Sequence, residues 1–255
     1  MSIQITIEDH FIPYLVLLFN TIIFHSIRLT IKTISPISIN LFVQEIISTI
    51  ELCACCAELG AVWGVHGDLG LAISLFSLCV WWSKVWEQAE ACPCGPLEEI
   101  FVMRKSARSS DTGFKILGQI VGGWLSWRYI DWIWCWHLSD QHRQLHQAPC
   151  EASLNVDPLH GALIEGVITL ISRLIALESN HWNDFVSILA NSLTTVALVL
   201  FAFNTTGGFF NPILASSLMI GCEGNTYWEH FQVYWIGSLL GSFLARLIYF
   251  HFLDN

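Results

Sequence analysis

Two glutamates recur in the same setting. Glu45 and Glu165 each stand four residues ahead of a threonine, as Glu45-x-x-x-Thr49 and Glu165-x-x-x-Thr169, inside apolar stretches. A charge in such surroundings is expensive and is normally paired or functional. The chemistry open to it is acceptance of backbone N–H groups from a loop that dips into a membrane. A proton relay is the lesser alternative, and a side chain snorkelling to the interface is the plain one. The repetition favours anchoring. A second set of polar groups lies at Asn211-Pro212-Ile213 and Cys92-Pro93-Cys94-Gly95. Asn211 offers an amide, whereas Cys92 offers only a weak thiol donor. A thiol at a helix N-terminus can become reactive, so Cys92 is expected to face a pore and to be modified by mercurials or peroxide; an inert small residue is the alternative.

Elements must hold these groups. An apolar run over 185–203 feeds a polar break, two glycines, Asn-Pro, about nine more apolar residues and Gly221. Asn caps helices well and Pro suits the first helical position, so a helix is expected from 212 to about 220. It is far below the roughly 20 residues that span a bilayer, yet too apolar for a surface loop. A half-helix starting at mid-membrane depth and aimed at a cavity satisfies both facts. Its partner is found 119 positions earlier, at Pro93. Glu45 and Glu165 differ by 120, and Gly118-x-x-x-Gly122 recurs as Gly237-x-x-x-Gly241 at 119. An internal repeat of about 120 residues with two half-helices points to an inverted-repeat channel or transporter. The glycine pairs read as close helix contacts.

Composition agrees. Of 255 residues, 54% are hydrophobic and 13% charged, against about 25% charged in soluble domains. The net charge of −10, without a basic patch, argues against a nucleic-acid partner. The first twenty residues are not a convincing signal peptide, since Glu8 and Asp9 precede the apolar run. The single domain (1–255) divides into an N-terminal hydrophobic segment (1–36), a first repeat (37–136) and a second (159–250). Segment 11–26 is expected to span or to lie at the interface. Core helices are expected at 37–60, 69–86, 114–136, 160–177, 185–203 and 231–250, with a short linker over 61–68 and the longest polar loop over 140–158. Trp81, Trp82 and Trp86 read as an interfacial belt. Arg104, Lys105, Arg108 and Lys115 form the densest basic cluster, on one side with Arg28 and Lys32; the positive-inside rule makes that side cytosolic. The 140–158 loop then faces the lumen or exterior.

Nine cysteines are present. Cys53, Cys55, Cys56, Cys79 and Cys135 lie in apolar segments as small hydrophobes; Cys150 and Cys222 lie outside them and are the two able to pair. The spacings lack the zinc pattern, so no metal or cofactor is expected. Neither is an enzyme, for no nucleophile–base pair is visible. Arg173 reads as a partner for substrate or for a glutamate, with snorkelling the alternative. His142, His146 and His160 read as solvated loop histidines. Asn204 heads a formal glycosylation sequon whose place at a helix end argues against use.

The chain resembles the aquaporins (major intrinsic proteins) over roughly 40–250. Thr206-Gly207-x-x-x-Asn211-Pro212, the paired Glu-x-x-x-Thr and the glycine pairs carry the resemblance, which is greatest to the superaquaporins of the aquaporin 11/12 type. That branch alters the first of the family's two Asn-Pro-Ala boxes, here Cys92-Pro93-Cys94-Gly95, places Leu after the second, here Asn211-Pro212-Ile213 followed by Leu214, and carries a cysteine at the place of Cys222. The resemblance implies an all-α membrane fold: six transmembrane helices and two re-entrant half-helices in an inverted repeat, with an extra N-terminal hydrophobic segment. It implies a passive homotetrameric channel in a lipid bilayer for water and small uncharged solutes such as glycerol or hydrogen peroxide. A multi-pass location in the endoplasmic reticulum or another intracellular membrane is the expectation. A secondary transporter and a non-conducting scaffold are the rivals. The implied filter positions are Val199, Gly208 and Leu214. Water-selective relatives place Arg at the position of Leu214 and His at that of Val199, so a wider or more apolar ring is expected. The carbonyls of Thr206, Gly207 and Gly208 are expected to line the outer path.

Overall fold

The computed structural model describes residues 7–34, 37–102 and 109–253. Arg104, Lys105 and Arg108 lie outside them. Helix α1 (Ile7–Ile34) has 28 residues, about 42 Å at 1.5 Å per residue, longer than a hydrocarbon core of about 30 Å. Its buried stripe, Leu17, Asn20, Phe24 and Arg28, recurs every three to four residues, the period of one helix face. The other face presents Leu15, Leu18, Phe19 and Ile22 outward. The N-terminal segment therefore has the length and the apolar surface of a spanning helix.

Helix α2 (Ile37–Val85) turns back on itself at Gly67, whose φ of 62° and ψ of −158° are non-helical. Trp81 Nε1 lies 3.2 Å from Glu51 Oε1 and Trp86 Nε1 3.1 Å from Oε2. In a straight helix residues thirty apart would be about 45 Å distant, so the two arms run antiparallel. The expected eight-residue linker over 61–68 shrinks to one glycine, because a left-handed φ without a Cβ reverses the chain in a single step. α1 packs on both arms and on α4 (Ser109–Trp134): Leu17 joins Cys55, Leu71 and Leu75 in one cluster, and Tyr129 OH donates to Asn20 Oδ1 at 2.7 Å.

The remaining elements are α3 (Cys94–Phe101), α5 (Asp140–Gln147), α6 (Pro158–Ser179), α7 (Asp184–Ala202) and α8 (Pro212–Met219). α9 is continuous through Tyr227–His230, Phe231–Gly237, Ser238–Ile248 and Tyr249–Leu253, the second and fourth stretches wound as π-helix. Among the described residues five helical runs are long and apolar enough to cross a membrane, including the doubled α2. α5 occupies the start of the expected 140–158 loop; Ser139 caps it by accepting from His142 N.

The glycine pairs set the closest helix approaches. A Cβ on Gly118 would stand 2.6 Å from Phe42 O, and one on Gly122 2.8 Å from Ile46 O. In the second half a Cβ on Gly237 would stand 2.6 Å from Ala162 O, and one on Gly241 2.0 Å from Gly166 O. The contacted residues again differ by 120, so α4 on α2 and α9 on α6 are the same crossing made twice.

Gly241→Ala is expected to cost about 1–3 kcal/mol through forced separation of α6 and α9. Gly113→Ala, at an exposed helical glycine with nothing within 4 Å of its Cβ, is expected to be neutral or stabilising. Thermal unfolding midpoints in detergent check the contrast; equal midpoints would remove the close-approach argument.

Candidate functional site: two re-entrant half-helices and a buried cavity

The glutamates hold the loops. Glu45 Oε1 accepts from Glu90 N at 3.0 Å and Oε2 from Ala91 N at 2.9 Å, with Gln119 Nε2 at 3.1 Å. Glu165 Oε1 accepts from Thr206 Oγ1 at 2.6 Å and Phe209 N at 3.1 Å, and Oε2 from Phe210 N at 2.7 Å. Both carboxylates are fully buried. The anchoring reading holds for each. The residues they grip, Ala91 and Phe210, have φ of 50° and 34°, a left-handed backbone that non-glycine residues rarely adopt. Such conformations persist only where surroundings over-determine them; the carboxylate bonds do so here.

The half-helices then start from these bends. Asn211 caps α8 as expected, its Oδ1 accepting from Ile213 N at 3.1 Å and Leu214 N at 3.3 Å. Its Nδ2 donates to Ala91 O at 2.8 Å, which joins the two box loops. The second amide proton of Asn211 remains for a further acceptor. α3 differs: its N-cap is Pro93, with no side-chain cap. Pro212, Ile213 and Cys94 are buried and Cys92 is half-buried. Cys92 O accepts from Gln119 Nε2 at 3.2 Å.

A cavity of about 710 Å³ opens above α8. Val199, Gly208 and Leu214 all line it, together with Gly207, Phe210 and Trp63. A Cβ on Gly208 would stand 3.1 Å from Val199 Cα, so α7 and the loop touch there. Thr206 departs from expectation: it is fully buried, and its carbonyl accepts from Tyr234 OH at 2.8 Å. A second cavity of about 290 Å³ lies between the second arm of α2 and α7, lined by Cys79, Trp86, Asn191 and Ser192 among others. Cys92 and Cys94 line neither; the expectation of a pore-facing Cys92 is not met at these cavities, because the chain turns at Ala91 and gives Cys92 O to Gln119.

Cys222 is bonded to Cys150. Ala152 N donates to Glu223 O at 2.8 Å and Glu223 N to Cys150 O at 2.9 Å, so the segment after α5 is stitched to the segment after α8 at the outer cavity's rim.

Several buried charges were not legible as such. Glu51, fully buried, accepts from Arg28 Nη2 at 2.6 Å as well as from the two tryptophans. Trp81 and Trp86 thus serve an ion pair rather than a simple belt, and Trp82 is buried. Glu58 pairs with His142 Nε2 at 2.7 Å and Trp134 Nε1 at 3.2 Å. His142 is fully buried, not solvated, because α5 folds inward; His160 is exposed as expected. Arg173 meets Glu98 on α3 in a bidentate pair at 2.7 and 2.8 Å, to which Ser242 Oγ also donates. The available signal was the presence of charges in apolar elements, without a cue to their partners.

Glu165→Ala would leave three buried donors unpaired and is expected to destabilise by about 3 kcal/mol. Glu165→Gln, which keeps the shape and two oxygen-or-nitrogen positions, should lose less. Unfolding midpoints of the purified variants test this; an Ala variant as stable as wild type would remove the anchoring role.

No family model matches the chain. Aquaporin-12 of Mus musculus is 30% identical over 216 residues, covering 82% of this chain and 74% of the relative. Aquaporin-11 of Milnesium tardigradum is 28% identical over 207 residues (81% and 74%), and aquaporin-11 of Homo sapiens 28% over 220 (83% and 78%). Among solved structures, the aquaglyceroporin from Plasmodium falciparum superposes with a TM-score of 0.63 at 13% identity, covering 85% of this chain and 97% of that one. The paired carboxylate-held loops, the half-helices they position and this similarity lead to one conclusion: the chain is an integral membrane protein that belongs to the aquaporin family of channels.

Proposed function

We propose that the chain conducts water and small uncharged solutes, glycerol and hydrogen peroxide among them, down their gradients. The carrying observation is the outer cavity. Its wall at Val199, Gly208 and Leu214 is apolar, with the acidic groups of Asp131 and Glu151 elsewhere on its lining, and it runs along α8 from Leu214 to Met219. Two half-helix N-termini aimed inward present positive dipole ends to a permeant, which disfavours cations and protons. An apolar ring reduces the desolvation demand on a carbon chain while giving water few replacement partners. The expected profile is modest water flux with relatively good polyol or peroxide flux. Glu45 and Glu165 are occupied by loop backbone, which favours a channel over an ion-coupled transporter needing those carboxylates. The apolar outer faces of α6 and α7, with Leu163, Val167, Phe185 and Leu193 exposed, suit packing against lipid and further subunits of a homotetramer. The disulfide-linked rim is assigned to the lumenal or external side, opposite Lys32 and Lys115.

The experiment is the glycerol-to-water permeability ratio in proteoliposomes, wild type against Leu214→Arg. The arginine is expected to lower the ratio several-fold. An unchanged ratio in a folded, conducting variant would take Leu214 out of the filter. Accumulation against a gradient would support the transporter, and silence toward glycerol and water alike the scaffold.

A further inference from the structure

The two cavities have residues in common. Trp82 and Thr195 line both the outer cavity and the smaller inner one, so their side chains lie between them. Trp82 comes from the second arm of α2 and Thr195 from α7. Trp82 is 7% exposed, and its ring stacks on Trp86 at 5.0 Å between centroids and 26° between planes. It is thus a rigid plate held in place from one side. Its indole N–H is buried without a hydrogen-bond partner, and so is Ser192 Oγ. Ser192 is 1% exposed and lines the same inner cavity. A buried donor without a partner costs about 1–3 kcal/mol, and neighbouring tryptophans avoid that cost: Trp81 and Trp86 both donate to Glu51. Two orphaned groups on the wall of one small cavity are what a polar molecule entering it would satisfy.

We propose that Trp82 and Thr195 form the partition of the conduction path, and that Trp82 Nε1 and Ser192 Oγ, from two residues lining the same inner cavity, form a hydrogen-bonding subsite for the permeating neutral solute. The inference rests on the channel reading. It adds to that reading a specificity-determining position on the inner side, remote in sequence from both boxes. The indole donates and the serine hydroxyl donates or accepts, so the subsite takes hydroxyl-bearing molecules: water, a polyol or a hydroperoxide. The plate limits cross-section, and the two polar atoms compensate a solute for the water it sheds.

The test measures water and glycerol permeability in proteoliposomes for four proteins. Trp82→Ala removes the plate and is expected to raise glycerol permeability about tenfold, more than water, as a widened constriction should. Ser192→Ala keeps the wall and removes one polar atom; Trp82→Phe keeps an aromatic, if smaller, plate and removes the indole N–H. Each is expected to lower glycerol permeability about fivefold, the effect of one hydrogen bond. Should Trp82→Ala fail to fold, Thr195→Ala widens the same partition and is expected to raise glycerol permeability in the same direction. Glycerol and water permeabilities within twofold of wild type in the widened variant would overturn the partition. A rise in Trp82→Phe equal to that in Trp82→Ala, or wild-type flux in Ser192→Ala, would overturn the subsite. A silent wild type would sink the channel reading by itself. Under that outcome a conducting Trp82→Ala would uphold the partition as a closed plug, and a silent one would overturn it.

Discussion

Backbone N–H groups inside hydrocarbon must find acceptors, and the whole arrangement depends on how two loops do so. A loop entering the membrane to mid-depth cannot use a helix ladder or water for its first donors. Here one carboxylate per repeat takes the pair of N–H groups at each bend, Glu90 and Ala91 in the first half and Phe209 and Phe210 in the second. The bonds also stabilise the left-handed residue that turns the chain into each half-helix. Without them the half-helices would have no fixed starting point, and Asn211 could not reach Ala91 O.

The repeats share this device but secure their half-helices differently. α8 has its Asn cap and a disulfide-tied exit at Cys222. α3 has neither; instead Glu98 inside it is gripped by Arg173 of α6 and Ser242 of α9. At the repeat offset Glu98 corresponds to Ser217, whose hydroxyl returns to Ile213 O at 2.7 Å, and Arg173 to Cys53. Loss of the first-box Asn therefore coincides with an ion pair that ties α3 to the other repeat. Removing either partner would strand a charge, which costs far more than the pair contributes in excess of an apolar substitute.

α2 carries three fully buried glutamates, and each fixes a different neighbour: Glu45 the first loop, Glu51 helix α1 through Arg28, and Glu58 helix α5 through His142. The additional N-terminal helix is thus joined to the bundle by a buried ion pair as well as by its apolar stripe. This arm of α2 is the common reference for one face of the cavity wall, for α1 and for the outer helix. Its antiparallel arm supplies Trp82, so the reversal at Gly67 places the plate against α7.

The sequence by itself determined the membrane class, the repeat, the half-helices, the two anchoring carboxylates and the close glycine contacts. Each follows from a local pattern or from a pattern repeated at a fixed offset, and the inverted repeat makes one half a check on the other. The resemblance to the aquaporins marked Val199, Gly208 and Leu214 as filter positions, and in the structure all three line one cavity. What only the tertiary structure decided concerns partners. Glu51, Glu58 and Glu98 look alike in sequence, as acids set among apolar residues, the first two on the same arm as Glu45 and the third beside Glu99. Their counter-groups lie 23, 84 and 75 residues away, and no period links them. His142 reads as a loop residue until α5 folds inward over Glu58. Trp82 reads as part of an interfacial belt because its neighbours in sequence are tryptophans; only the fold-back of α2 gives Trp81 and Trp86 an acceptor and leaves Trp82 facing two cavities. Periodicity is written along the chain, whereas the pairing of isolated buried polar groups depends on how the helices cross.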